Sequence, residues 1–173
     1  MTVQALRGHQ PEVLDHLLAT YGPEIQGVAY LILRDPSAAE DVVIDTLLTA
    51  LERGDQLRDP TAIRAWLLRI ATNRALSVRR SSARIVELNL APDRPARDAD
   101  EDLRLVLLAS VGRLAPRMRA AVVLRYYADL SVRETAQALG TSENTVKTQL
   151  REALAQMRLA LAEPTPVREA VHG

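Results

Sequence analysis

Residues 130–158, with the sequence LSVRETAQALGTSENTVKTQLREALAQMR, predict two helices joined by a tight turn. Ser131 is a preferred N-cap residue, and Glu134 three positions later completes a capping box. Gly140 provides the left-handed conformation that ends a helix, and Ser142 can cap the next one. The apolar positions between these signals follow the helical period, so each helix has one face that can be buried. The stretch therefore predicts a helix-turn-helix unit.

The second of these helices has an outward face that suits DNA. Val146, Leu150 and Leu154 recur every four residues and are predicted to point inward. A polar and basic helix face that is held by a packed partner helix can enter a DNA major groove. The side chains predicted to contact DNA are Ser142, Glu143, Asn144, Thr145, Lys147, Thr148 and Arg151. The alternative, from spacing alone, is an ordinary pair of packed helices in an all-helical core.

The composition of the 173-residue chain favours helices over sheets. Apolar residues make up 47% and aromatic residues only 3%, so the core must be built from Leu, Val, Ile and Ala. The absence of Cys excludes disulfides and thiolate metal sites and agrees with a reducing cytoplasm. No apolar run approaches the roughly 20 residues of a membrane-spanning helix, and no signal peptide is recognisable. We therefore expect an all-α cytoplasmic protein without membrane insertion.

The net charge of zero hides a strong segregation of charge along the chain. Residues 12–55 contain nine acids and two arginines, whereas residues 58–84 contain seven arginines and one acid. Residues 85–102 are acidic again, and residues 103–173 are basic. Clustered charge of this kind indicates binding partners better than net charge does.

The chain is predicted to form two small helical domains joined by a flexible acidic linker. Residues 1–84 would form the first domain. Residues 85–99 contain two prolines and lack helical periodicity, which indicates the linker. Residues 100–162 would form the second domain, and residues 163–173 a disordered tail.

Four helices are expected in the first domain. Two short ones, residues 11–19 and 23–33, are predicted on either side of a Tyr-Gly-Pro break. Ser37, with an acid three positions later, would cap a third, acidic helix. Residues 61–80 would form a long helix with an apolar side and a basic side. The apolar side would consist of Ile63, Trp66, Leu67, Ile70 and Leu76, with Ala71 as a further candidate.

The basic side of the long helix is predicted to contact single-stranded or melted nucleic acid, since arginine binds phosphates and bases can stack on flat side chains. Its members are Arg64, Arg69, Asn73, Arg74, Arg79 and Arg80. The alternative is a solvated basic face with Trp66 in the core. For Asn73 the alternative is a buried or capping role.

Three stretches, in this order, resemble an extracytoplasmic-function sigma factor of bacterial RNA polymerase, in the sigma-70 family. Residues 38–51, AAEDVVIDTLLTAL, are similar to the acidic helix of region 2, which docks on the polymerase clamp. Residues 65–80, AWLLRIATNRALSVRR, are similar to the end of region 2, which opens and recognises the minus-ten promoter element. Residues 114–158 are similar to region 4, which recognises the minus-thirty-five element. The chain departs from the usual family residues at Ile44, Asp45, Leu47 and Ser77.

The resemblance implies a transcription initiation factor that directs core polymerase to promoters. It implies minus-ten contacts at Arg64, Arg69, Asn73, Arg74, Ser77 and Arg80. It implies polymerase contacts at Asp41, Val42, Asp45, Leu48 and Glu52. The alternative for this acidic helix is an ordinary solvated face. The implied partners are the clamp and flap regions of core polymerase, promoter DNA at the nucleoid, and an anti-sigma factor.

Two other functions are compatible with parts of the sequence. A conventional transcription regulator would use the same helix-turn-helix together with an N-terminal sensing or dimerisation domain. An enzyme acting on nucleic acid would need a catalytic set, but His9, His16 and His172 are scattered and no glycine-rich phosphate loop occurs. We therefore expect no enzymatic activity, no metal and no cofactor.

Overall fold

The computed structural model describes residues 11–82 and 99–162, and all regular structure in these ranges is helical. The α-helices are α1 (Pro11–Leu33), α2 (Pro36–Glu52), α3 (Ile63–Ser82), α4 (Ala99–Arg113), α5 (Pro116–Val122), α6 (Val132–Leu139) and α7 (Glu143–Ala162). Two 3₁₀ turns, Gly54–Gln56 and Pro60–Ala62, lie between α2 and α3, and a π-helical segment, Val123–Tyr127, continues α5. The predicted all-α class is confirmed. The predicted linker, apart from its last residue, and the predicted tail lie outside the described residues.

Helix α1 is continuous, so the predicted break between two short helices is wrong. Pro23 lies inside the helix, where proline lacks the N–H that the helix needs and costs roughly 3 kcal/mol. Apolar residues on both sides of it, Leu17, Ile25 and Val28, are fully buried. The burial of these side chains against α2 and α3 offsets the free-energy cost of Pro23. A prediction from the local sequence does not include this burial and therefore overstates the effect of Pro23.

The start of α2 also differs from its prediction. Asp35, rather than Ser37, is the N-cap, and its carboxylate accepts a hydrogen bond from the backbone N–H of Ala38 at 3.1 Å. Pro36 occupies the first helical turn, where its fixed φ suits a helix and its missing N–H costs nothing. The helix therefore begins directly after Asp35, and Ser37 lies within its first turn.

Helices α1, α2 and α3 pack against one another and form the first bundle. The buried residues of α3 are Ile63, Leu67, Leu68, Ala71, Thr72, Ala75 and Leu76. Trp66 and Ile70, which were predicted on the inner side, are only half-buried, and Trp66 packs at the edge of the core. Leu68 and Ala75 were not predicted, because the buried stripe of α3 is wider than the sequence pattern suggested.

Helices α4 to α7 form the second bundle, in which α7 contacts α4, α5 and α6. The two bundles touch: α3 lies against α6, and α1 lies against the π-helical segment. The buried residues of both bundles belong to one continuous hydrophobic cluster. The basic helix α3 and the helix-turn-helix are thereby placed next to each other.

Candidate nucleic-acid interface

The first helix of the helix-turn-helix is held at both ends as predicted. The Ser131 hydroxyl accepts a hydrogen bond from the Glu134 N–H at 3.2 Å, and the Glu134 carboxylate accepts one from the Ser131 N–H at 2.8 Å. At the other end Gly140 adopts the left-handed conformation, with φ 60° and ψ 44°. Its neighbour Thr141 donates from its N–H to the Ala136 carbonyl at 3.0 Å. The capping box and the glycine turn are both confirmed.

The start of α7 is capped by Ser142, also as predicted. Its hydroxyl accepts a hydrogen bond from the Thr145 N–H at 3.1 Å and lies 2.9 Å from the Thr145 hydroxyl. Both hydroxyls therefore already have a partner within the first turn of α7. This arrangement fixes the direction in which the N-terminal turn of α7 points.

The outward face of α7 is open to solvent. All seven side chains predicted to contact DNA are exposed: Ser142, Glu143, Asn144, Thr145, Lys147, Thr148 and Arg151. Val146, Leu150 and Ala153 are buried against the rest of the second bundle. The separation of an apolar inner face from a polar outer face is therefore confirmed, except that Leu154 is only partly buried.

The basic face of α3 is less open than predicted. Arg64 forms an ion pair with Glu24 and also donates to the Ala128 carbonyl of the second bundle at 2.6 Å. Asn73 remains largely exposed, but its side-chain amide donates to the Ala138 carbonyl at 3.4 Å. These two side chains therefore already have partners across the contact between the bundles.

The other predicted members of this face differ in their surroundings. Arg74 pairs with Asp45 of α2, with 2.6 Å between Nε and Oδ2. Arg69 and Arg80 are exposed, and Ser77 and Arg79 are half-buried. The predicted residues therefore lie along α3, but their side chains differ in how accessible they are to a nucleic acid.

One predicted polymerase contact on α2 is wrong. Val42 has 0% exposure and belongs to the core, so it cannot touch another molecule. The apolar side chains that α2 does expose are Ile44, at 54%, and Leu48, at 47%, one helical turn apart. Ile44 was not predicted, although its spacing of four residues from Leu48 is the sequence signal that places both side chains on the same face of the helix. Asp41 and Glu52 are exposed beside this pair.

No sequence signal indicated the role of two arginines that join the bundles. Arg119 is 1% exposed and donates to the Ile32 carbonyl of α1 at 2.8 Å, as well as to carbonyls at the end of α4. Arg34 donates in the opposite direction, to the Leu108 carbonyl of α4 at 2.5 Å. Burial, together with the neighbouring charges of Arg79 and Arg34, lowers the pKa of Arg119 to about 10. Arg119 nevertheless stays protonated at neutral pH.

Residues 11–82 and 99–162 contain no group of three or more His, Cys, Asp or Glu side chains that could hold a metal ion. None of the helices in this part of the chain combines the length and hydropathy that crossing a bilayer requires.

Two family matches cover most of the described chain. Residues 17–85 match sigma-70 region 2, and residues 104–157 match sigma-70 region 4. The first match includes almost all of the first bundle, and the second includes the complete helix-turn-helix.

Characterised bacterial proteins are similar over most of their length. The RNA polymerase sigma-E factor of Streptomyces coelicolor is 35% identical over 130 residues, which are 73% of each chain. The ECF RNA polymerase sigma factor SigL of Mycobacterium tuberculosis is 31% identical over 137 residues, 75% of this chain and 77% of SigL.

Two solved structures share the fold. The sigma factor RpoE, in complex with the anti-sigma factor NepR from Bartonella quintana, superposes with a TM-score of 0.73 at 23% identity, covering 87% of this chain and 98% of RpoE. CnrH, in complex with the cytosolic domain of CnrY, superposes with a TM-score of 0.70 at 24% identity, covering 94% of this chain and 96% of CnrH.

Proposed function

The chain belongs to the sigma-70 family of RNA polymerase sigma factors, in its extracytoplasmic-function group, and we propose that its two bundles divide promoter recognition between them. It is a transcription initiation factor that binds core polymerase and directs it to promoters. Residues 1–84 would dock on the polymerase clamp and recognise the minus-ten element. Residues 100–162 would recognise the minus-thirty-five element, and residues 85–99 would link the two.

The exposed face of α7 carries this assignment. A DNA-reading helix needs a rigid mount and free side chains, and the capping of α6 and α7 supplies the mount. Lys147 and Arg151 would bind phosphates, because a cationic side chain neutralises the backbone without regard to sequence. Asn144, Thr145 and Thr148 would lie near base edges, together with Ser142 and Glu143 at the N-terminal turn.

The minus-ten surface would lie along α3. Arg69 and Arg80 are exposed and would hold the promoter backbone. Asn73 is the best candidate for a base contact, because its amide can both donate and accept. Arg64, Arg74 and Ser77 complete the proposed set, and Arg64 would need to exchange its present partners for DNA.

The polymerase surface would lie along α2. Ile44 replaces the excluded Val42 as an apolar contact beside Leu48. Asp41 and Glu52 would face a basic surface of the polymerase, and Asp45 would do so while shared with Arg74. An exposed apolar pair flanked by charge is typical of an interface with an apolar centre and a polar rim.

The remaining assignments follow from this role. RpoE and CnrH are each bound to a partner protein, an anti-sigma factor in the case of RpoE, and we propose that this chain is likewise held by an anti-sigma factor. Its working place would be the cytoplasm at the nucleoid, where polymerase and promoters meet. No catalytic activity is part of the proposal.

Run-off transcription from a genomic promoter library tests the function directly. Purified core polymerase, with and without the protein, should yield transcripts that start near a shared two-block motif only when the protein is present. A variant with Asn144→Ala and Lys147→Ala should lose these transcripts. Sequence-specific DNA binding by the protein alone, without such transcripts, would instead favour a conventional regulator. The region 2 match at residues 17–85 does not favour that alternative.

A further inference from the structure

We propose that Asp45 is a positioning residue for minus-ten recognition, which holds the Arg74 guanidinium so that its two terminal NH₂ groups bind a promoter phosphate together. The inference rests on the proposed assignment of α3 to the minus-ten element. It adds a second role for Asp45 to the proposed polymerase contact, because one carboxylate oxygen would serve each partner.

A single hydrogen bond between α2 and α3 is the structural basis. Asp45 and Arg74 are 29 positions apart in the chain and are brought together by the packing of the two helices. The Arg74 Nε donates to the Asp45 Oδ2 at 2.6 Å, as expected of a short bond between charged groups. A long arginine side chain loses rotamer freedom when it binds a ligand. Asp45 removes part of this freedom beforehand and so lowers the entropic cost of binding DNA.

The bond leaves the outer end of the Arg74 guanidinium available. Within residues 11–82 and 99–162, Arg74 donates from its side chain only through Nε. The terminal Nη1 and Nη2 groups form a planar fork that can bind a phosphate through two parallel hydrogen bonds. The Arg74 side chain is 51% exposed, so a phosphate can reach this fork while Nε remains bound to Asp45.

Arg64 of the same helix shows a different arrangement. Its Nε donates to the Glu24 carboxylate at 2.9 Å, and its Nη2 bonds the other oxygen of that carboxylate. The same Nη2 also donates to the Ala128 carbonyl at 2.6 Å. A phosphate that used the terminal fork of Arg64 would have to displace these partners from Nη2, whereas Arg74 can keep its acidic partner.

Stability of the bundle is a weaker explanation for the Asp45–Arg74 pair. Both side chains are substantially exposed, and exposed ion pairs contribute little because solvent and salt screen them. A carboxylate near the DNA surface also repels phosphates. Positioning and repulsion predict opposite changes in DNA affinity when Asp45 is removed, so the direction of the change distinguishes them.

Two substitutions of Asp45 separate its acceptor oxygen from its charge. Asp45→Asn keeps an oxygen that can accept from the Arg74 Nε but removes the charge, whereas Asp45→Ala removes both. Glu40→Ala is the matched control, because it removes another exposed carboxylate of α2. Circular dichroism and urea unfolding check that all variants fold alike.

Binding is measured in the holoenzyme, with core polymerase at concentrations that saturate each variant. The probe is a labelled non-template strand that spans the minus-ten element of a promoter found by run-off transcription. A strand of scrambled sequence gives the background. Titrating each variant with core polymerase separately provides its core affinity, so that the two proposed roles of Asp45 are measured independently.

We expect Asp45→Ala to weaken binding of the minus-ten strand by about two- to fivefold, the range of an exposed ion pair. Asp45→Asn and Glu40→Ala should bind the strand like the unmodified protein. Core affinity should instead fall alike in both Asp45 variants, because the polymerase contact depends on charge. In an Arg74→Ala background, Asp45→Ala should weaken strand binding no further.

Three results would overturn the positioning role. The first is an Asp45→Ala variant that binds the strand as well as the unmodified protein or better. The second is an Asp45→Asn variant that is as weak as Asp45→Ala, and the third is a loss that persists in the Arg74→Ala background. Failure of the proposed function would look different: the unmodified protein would start no transcripts with core polymerase, and the positioning role would fall with it.

Discussion

Single side chains decide where the helix-turn-helix begins. The Ser131 and Glu134 side chains each bond the backbone N–H of the other residue, and the Ser131 hydroxyl also donates to the Glu134 carboxylate at 2.6 Å. These bonds from the Ser131 hydroxyl and N–H lower the pKa of Glu134, and the charge of Arg64 across the bundle contact adds to the effect. The Glu134 side chain therefore stabilises the start of α6 more when it is ionised than when it is protonated.

Glu134→Gln should reduce the acid sensitivity of the fold. Because the pKa of Glu134 in the folded protein lies below its usual 4.5, the contribution of the ionised group is present above pH 4.5 and is lost as the pH falls through the folded-state pKa. Glutamine keeps the acceptor oxygen but does not titrate. Urea unfolding at pH 7 and pH 3 should show a smaller loss of stability for the variant. An equal loss in both proteins would contradict this account.

At the scale of the element, α2 and α7 each present two faces with different tasks. In α2, Val42 and Leu47 are in the core while Ile44 and Leu48 face solvent. In α7, Val146 and Leu150 anchor the helix while Asn144 and Lys147 are exposed. The inner faces decide stability, and under the proposed assignment the outer faces would decide recognition, so substitutions should separate the two.

Replacing the apolar pair of α2 should weaken polymerase binding without unfolding the protein. Burying one such side chain contributes about 1.5–3 kcal/mol, so Ile44→Ser with Leu48→Ser should lower core affinity by about tenfold or more. Affinity is measured by fluorescence anisotropy of the labelled protein titrated with core polymerase. Val42→Ala is the contrast: it should cost about 2 kcal/mol of unfolding free energy and leave the affinity of the folded protein unchanged. Equal affinity of the double serine variant would remove this face from the interface.

Two substitutions on α7 should have different signatures. Asn144→Ala should cost about 1–3 kcal/mol on the preferred minus-thirty-five duplex and relax the preference at one base pair. Lys147→Ala should weaken all duplexes alike and reduce the salt dependence by about one counterion. Both are measured by titrating duplexes with single-base changes at several salt concentrations. Arg158→Ala, which removes an exposed charge near the end of α7, is the control and should change neither quantity.

At the scale of the whole molecule, Arg119 is the residue on which both bundles depend. Its guanidinium donates to Ile32 in the first bundle and to Val111, Gly112 and Leu114 in the second. A buried cation surrounded by carbonyl oxygens satisfies several acceptors at once. Arg119 is therefore a structural residue of the contact between the two bundles.

Arg119→Met should destabilise the protein by about 3 kcal/mol or more, because each buried acceptor left without a partner costs about 1–3 kcal/mol. Methionine retains the apolar stem, so the loss reports mainly on the missing N–H donors. Urea unfolding followed by circular dichroism provides the measurement. Arg133→Met, on the exposed side of α6, should change stability little. A urea unfolding curve of Arg119→Met that matches that of Arg133→Met would show that the carbonyls find other partners.

Two of the failed sequence predictions show clearly why local signals were not enough. The break predicted in α1 came from Pro23, whose local cost is outweighed by burial of Leu17 and Ile25 on either side of it. Val42 was assigned to the polymerase surface from the resemblance of residues 38–51 to the acidic helix of region 2, and such a resemblance does not show which apolar side chains are buried. Only the packing of α2 on α1 and α3 shows that Val42 is inside and Ile44 outside.

The sequence by itself determined the all-α class, the helix-turn-helix and the outward face of α7. Those features depend on caps, turns and spacings within a few residues, such as Ser131 with Glu134 or the left-handed Gly140. The tertiary structure alone decided how the two bundles meet. Asn73 and Ala138 lie 65 positions apart and Arg119 and Ile32 lie 87 apart, and no local preference of the chain encodes such a pairing. It arises because helix ends and buried cations must find partners wherever packing brings them together.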